Sequence, residues 1–219
     1  MPHSRALTLS AIALTLSLSV AGCSSSSDET ESSTSPSSES TTAESTPSET
    51  EAPAETEEAE ETSGAADITA APATGISITG DGYIYSVPEG WELQDPAIAP
   101  GTDTIVADMT ATGDFANNVN VILNPGAITM DQVEESAPSQ LEASGGSEVS
   151  VRDRVNIAGS ESAHISAKAT ADGVSYVVHQ YYPTNDDQTY VVTFSYDDTV
   201  AEADAISIAE SILASWTWS

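Results

Sequence analysis

Residues 163–182 read AHISAKATADGVSYVVHQYY, and this stretch decides the fold. Ala163, Ile165 and Ala167 alternate with His164, Ser166 and Lys168, the period-two pattern of a strand with one apolar face. Asp172-Gly173 follows, a dipeptide suited to two consecutive left-handed residues, and β-branched and aromatic residues resume from Val174 to Tyr182. Two such runs around a two-residue turn predict an antiparallel hairpin. Further strands are expected on either side, at Val149 to Ile157 and at Tyr190 to Tyr196, the latter after a longer turn over Thr184 to Gln188. Nearer the N-terminus, Tyr83 to Val87, Thr104 to Thr110 and Asn118 to Leu123 carry the same signal. The later strands should form an antiparallel meander.

Two segments break the strand pattern. Thr129-Met130-Asp131-Gln132 reads as a capping box, and Val133, Ala137 and Leu141 follow at helical spacing until Gly145-Gly146. Pro138 is expected to shorten or kink this helix. A second capping box is expected at Thr199-Val200-Ala201-Glu202, leading into a stripe of Ala205, Ile206, Ala209, Ile212, Leu213 and Trp216. The fold class is therefore α+β, an antiparallel sheet covered by a central and a C-terminal helix. Trp91 and Trp216 are expected to fill the core between the first strand and the last helix, while Trp218 is left open between core and surface. Of Tyr181 and Tyr182, which point to opposite sides of their strand, only one is expected to be buried.

Residues 1–22 have the layout of a secretory signal: Arg5 as a small positive region, then an apolar stretch from Ala6 to Val20. That stretch is shorter than a membrane span needs. It runs into Val20-Ala21-Gly22-Cys23, whose resemblance to the lipobox of bacterial lipoproteins implies cleavage before Cys23 and a lipid on its thiol. Residues 24–75 are almost entirely Ser, Thr, Glu, Pro and Ala, with no Lys, Arg or aromatic residue. Such a segment cannot bury enough apolar surface to offset its ordering entropy. It carries 13 of the 35 acidic residues, and about 50 such residues would span roughly 40 Å or more. Residues 23–75 are thus read as a lipidated, acidic tether with Ser/Thr runs that permit O-glycosylation, and residues 76–219 as the one core-bearing domain.

The net charge of -31 excludes nucleic acid as a partner. The single cysteine excludes a disulfide framework and a thiolate metal cluster. Catalytic candidates in the domain reduce to His164, expected at the surface, and His179, expected as a partly buried structural imidazole; no G-x-S-x-G elbow accompanies them. Asp186-Asp187, Asp197-Asp198 and Glu134-Glu135 are the acidic clusters, but none has calcium-loop spacing, and turn or cap roles are the expectation. No catalytic residue, metal ligand or cofactor is assigned.

Tyr85-Ser86-Val87-Pro88-Glu89-Gly90-Trp91, then Asn118-Val119-Asn120-Val121, a helix, a strand meander and Ile208 to Trp216 together resemble the actinobacterial LpqN/LpqT-type lipoproteins of the Mog1/PsbP-like fold group. The resemblance implies an α/β/α sandwich with a central antiparallel sheet and a non-enzymatic role in binding or assembly at the cell envelope. Cys23 is the one family residue carried over. The expected function is that of a membrane-anchored lipoprotein with a binding or adaptor domain and a protein partner at the envelope. A small-ligand or divalent-cation carrier is the alternative, followed by a hydrolase with an unrecognised site.

Overall fold

The computed structural model describes residues 64–112, 115–186 and 188–219. Cys23, the expected signal segment and most of the expected tether lie outside them. Strands β1 (Ala66–Asp67), β2 (Ser77–Thr79), β3 (Tyr83–Ser86), β4 (Trp91–Leu93), β5 (Thr104–Asp108) and β6 (Asn118–Pro125) precede helix α1 (Met130–Ala143). The meander follows as β7 (Ser147–Ile157), β8 (Ser160–Ala171), β9 (Val174–Tyr181), β10 (Thr184–Asn185) and β11 (Gln188–Asp197), and then come helix α2 (Glu202–Leu213) and β12 (Thr217–Trp218). Every strand expected from the sequence is present, and the α+β class with its layered sheet is the observed one.

The large sheet has the order β1-β7-β8-β9-β11-β6-β5-β4, with β10 paired to β11. All its pairs are antiparallel except β1 on β7. The β8–β9 turn is the expected one: Asp172 and Gly173 both have positive φ, at 51° and 82°, as a two-residue hairpin turn of this hand requires. A smaller sheet, β12-β3-β2, is built around β3.

Period-two alternation sorts the large sheet into two cores. Ala163, Ile165, Ala167, Tyr182 and Val191 meet Val133, Ala137 and Leu141 of α1. Tyr181, Tyr190, Val192, Phe194 and Tyr196 meet Ala205, Ala209 and Ile212 of α2, with Tyr83 and Tyr85 of the small sheet. Because both faces are covered, Tyr181 and Tyr182 are both buried, contrary to the expectation of one. Trp91 and Trp216 are buried as expected.

The two arginines of β7 clamp one helix each. A register shift between Arg152 and Val155 puts their side chains on opposite faces of the sheet. Arg152 pairs with Glu202 of α2, and Arg154 pairs with Asp131 and Glu134 of α1. The Arg154–Glu134 contact is a fork of two bonds, 2.7 and 2.8 Å, the geometry that suits guanidinium to carboxylate.

Local rules hold at α1 and fail at α2. Thr129 and Gln132 form the expected capping box, and α1 runs through Pro138 before Gly145, at φ 93°, ends it. At α2 the N-cap is Ala201 with no side-chain bond. The expected box is absent because Thr199 donates its hydroxyl to Asp197 instead, two residues back, a local turn that competes with capping. The N-terminal boundary also moves. Asn156 Nδ2 donates to Ala65 O and Asp67 Oδ1, Ala73 N–H donates to Ser211 O, and Ile68 and Ala73 pack on the core. Residues 65–75, assigned to the tether from composition, are strapped across β7 and α2. Among the described residues no helix is long and apolar enough to cross a membrane.

Candidate functional site

The β8–β9 register places Ser166 opposite His179 and His164 opposite Tyr181. All four side chains then face α2, and the two imidazoles meet diagonally, His164 Nε2 to His179 Nδ1, at 2.9 Å. His164 stacks on Tyr181, with ring centroids 4.2 Å apart and planes 17° from parallel. Tyr196 approaches His179 edge-on. His164 is only 6% exposed, which corrects the expectation of a surface residue. Its polar strand face, shared with Ser162 and Ser166, read as solvent-facing, but the face lies beneath α2.

Burial pushes His164 down to about 3, with His179 and the Arg152 cation acting in the same direction. Burial likewise lowers His179 to about 4, with Arg152 adding and Glu202 opposing. Both imidazoles are neutral at ordinary pH, so a single N–H···N bond joins them. Ser166 Oγ accepts from Arg152 Nε at 2.8 Å, and neither imidazole is bonded to a serine hydroxyl or a carboxylate among the described residues. A nucleophile and base in contact, oriented by a third group, are what nucleophilic hydrolysis by a serine requires. The two histidines that sequence separated are brought together, but in an arrangement that holds packing and not a proton relay.

Beside this pair opens a cavity of about 380 Å³, lined by Arg152, Ser166, Lys168, Asp198 and Glu202 among others. Four of its five charges are paired: Arg152 bonds Glu202, and Lys168 Nζ lies 2.7 Å from Glu148.

A second cavity, about 520 Å³, lies where the strap meets the end of α2. Its walls are Ile68 and Pro72 on the strap, Leu213 and Trp216 near the α2 terminus, and Asp67 and Asn156 across the β1–β7 pair. Trp216 stacks on Tyr83 at 4.5 Å and on Tyr85 at 5.5 Å, both nearly parallel. Tyr190 and Trp218 close the cluster edge-on or tilted. Trp218, left open by the sequence, is half-buried and donates its indole N–H to Ala158 O at 3.1 Å. The Trp216 indole N–H is buried and has no partner.

On the α1 face, Asn118, Asn120, Thr193, Ser195 and Gln180 are buried. Gln180 bonds Thr193 and Tyr182, but both amide atoms of Asn120 and Asn118 Oδ1 are unpaired. The sequence signal was present in the Asn-Val-Asn alternation, where asparagine at apolar-strand positions marks an unusual interior.

The acidic clusters take structural roles. Glu134 holds Arg154, Asp186 occupies a turn at φ 49°, and Asp197 accepts from Thr199 N–H and hydroxyl. Asp187 and Cys23 lie outside the described residues. Among those described, no three His, Cys, Asp or Glu residues are grouped to hold a metal ion.

No protein-family profile matches the chain, and no curated protein matches it at a significant level of sequence similarity. Solved structures do resemble it. A protein from Bacteroides thetaiotaomicron is 14% identical over 66% of this chain, at a TM-score of 0.45, and the match spans 48% of that protein, about half its length. LpqN of Mycobacterium tuberculosis, described as involved in cell envelope biogenesis, is 16% identical over 66% of this chain and 90% of its own, at 0.48. The cyanobacterial PsbP of Synechocystis sp. PCC 6803 is 16% identical over 66% of this chain and 91% of its own, at 0.42.

Proposed function

We propose that this protein is a lipoprotein anchored through Cys23 to the outer face of the cytoplasmic membrane, presenting a non-catalytic binding or adaptor domain to a protein partner at the cell envelope. The observation that carries the non-catalytic part is the imidazole pair. The candidate acid–base groups are neutral, buried and bonded to each other, and the serine beside them is bonded to arginine. The lipid anchor rests on the lipobox-like Val20-Ala21-Gly22-Cys23, with the acidic segment as spacer. Two or more acyl chains hold such a protein stably, where a single one is marginal.

The test is made in the native host. Cys23→Ala should release the protein from the membrane fraction; retention would overturn the anchor. A photo-crosslinking residue at solvent-exposed domain positions should capture one defined envelope protein, with capture lost when the domain is unfolded by a core substitution. Equal capture by residues 23–63 alone would overturn the adaptor reading. A small-ligand carrier is a second reading, favoured by the 520 Å³ cavity at the strap, whose size falls in the ordinary range for ligand sites.

A further inference from the structure

We infer that the free edge of β4 docks an extended segment of a partner protein, one that alternates basic and apolar residues and adds itself antiparallel as a further strand of the large sheet. This deepens the adaptor reading, on which it rests, by naming the surface and the chemistry of what it holds.

Among the described residues β4 ends the large sheet, and three features mark its outer side. The first is the backbone. Gln94 N–H donates to Ile105 O, and Met109 N–H donates to Gly90 O, so the even-numbered residues turn their N–H and C=O groups to β5. Leu93, between them, turns both groups to the open side, and Trp91 turns its C=O there. An incoming strand finds in these the bonds that edge pairing needs. The second is apolar exposure. Of the five large apolar side chains exposed among the described residues, Leu93, Ile98 and Met109 belong to the β4–β5 hairpin or its end. Leu93 stands beside buried Val106 on the α2 side of the sheet and is 55% exposed. The third is charge. Glu92, opposite Ala107, takes the other face and is exposed, and Glu89 and Asp95 flank the strand. Successive side chains of a strand alternate, so every second residue of an added strand meets Leu93 and the others meet Glu92. Apolar side chains suit the first set. Lysine or arginine suits the second, with its apolar stem lying toward Met109.

Charge also decides against a second copy of this chain as the occupant. Arg152, Arg154 and Lys168 are the basic side chains among the described residues, and all three are paired on β7 and β8. β7 lies six strand spacings from β4, roughly 30 Å. That is several screening lengths at ordinary ionic strength, so the β4 edge has no cation of its own. Pairing two copies through this edge would set Glu89, Glu92 and Asp95 of one against those of the other, and like charges across strands repel. The opposite end of the sheet is protected as β4 is not. β1 covers part of β7, and two register shifts distort the rest of that strand.

The experiment titrates the chain from Ser24 to Ser219 with an acetylated and amidated heptapeptide that alternates lysine and valine, and follows backbone amide shifts by NMR. Saturable shifts should centre on Gly90 to Gln94, and affinity should fall about tenfold between about 20 and about 500 mM salt. The glutamate–valine counterpart should not bind. Methylating the valine N–H groups, which face β4 in antiparallel pairing, should abolish binding. Leu93→Lys and Glu92→Lys, both at exposed side chains, should each weaken binding about tenfold, while Val151→Lys, at an exposed position of β7, should leave it unchanged. Absence of saturable shifts, shifts confined to the acidic segment before Gly64, undiminished binding of the methylated peptide, or full affinity in both β4 variants would each overturn the inference. So would a dimer, seen by sedimentation, that Leu93→Lys dissociates, since the edge would then belong to a second copy. In the native host, a photo-crosslinking residue at Leu93 should capture the partner. Capture at Val151 and not at Leu93 would sink this surface while keeping the adaptor reading, whereas capture at no exposed position would sink both.

Discussion

Acid should destabilise this domain through His164 and His179 specifically. In the unfolded chain each imidazole titrates near its ordinary value of 6.5, whereas in the folded protein they are held near 3 and 4 by burial. Their native-state contribution is therefore whole above about pH 6.5 and declines as pH falls, because the unfolded chain takes up protons that the folded one refuses. Between pH 6.5 and 5 the difference is 1.5 units for each group, about 2 kcal/mol per histidine and about 4 for the pair. That is a large part of the 5–15 kcal/mol that typically separates folded from unfolded chains. Protonation of the many carboxylates shifts stability over the same range and must be subtracted. The comparison is therefore between wild type and the His164→Leu/His179→Leu double variant, in which Arg152, Glu202, Tyr181 and Tyr196, the groups facing the pair, are unchanged. Urea unfolding followed by tryptophan fluorescence at pH 7.5, 6.5, 5.5 and 5.0 gives both curves. The wild type should lose about 4 kcal/mol more than the variant between pH 7.5 and 5. Parallel curves, within about 1 kcal/mol, would refute the claim that these imidazoles stay neutral when buried.

Three further outcomes follow from the same contacts. Thr129→Ala should lower stability by about 1 kcal/mol through loss of the α1 cap, and Thr199→Ala by less, since its hydroxyl serves Asp197 and not the helix; equal losses would restore the second capping box. Gly75→Ala puts a Cβ 2.3 Å from Val87 O, a backbone atom, so urea unfolding should show a loss of about 1–3 kcal/mol. An unaffected midpoint would mean that the strap is not packed there. Asn120→Leu replaces a fully buried amide with both ends unpaired by an apolar side chain of similar size, and should be neutral or stabilising by about 1–2 kcal/mol. A clear loss of stability would show that the amide is bonded internally.

The meander, the α1 cap and the α+β class were legible because each rests on short-range chemistry. The Ala163-to-Lys168 alternation, the left-handed Asp172-Gly173 pair and the Thr129–Gln132 box act within a few residues of themselves. Burial of the strands' second faces was not legible in that way. His164 sits on a strand face of serine and lysine, which by composition points to water, and only the arrival of α2, about forty residues later, covers it. Tyr181 and Tyr182 are both buried for the same reason: helices cover both faces of the sheet, and a single strand's pattern records only its own alternation. The partition of Arg152 and Arg154 between two helices depends on a register shift in the β7–β8 pair, which involves two strands at once. Residues 65–75 were assigned to the tether because their composition is poor in large apolar groups, yet Asn156 and Ser211 supply bonds from far along the chain. Sequence alone thus determined seven of the twelve described strands, the two helices and the lipobox-like segment. The tertiary structure decided which polar side chains are buried, which are paired, and that the strap, Asp67 and Trp216 share one cavity, since desolvation and pairing depend on neighbours that the local sequence does not specify.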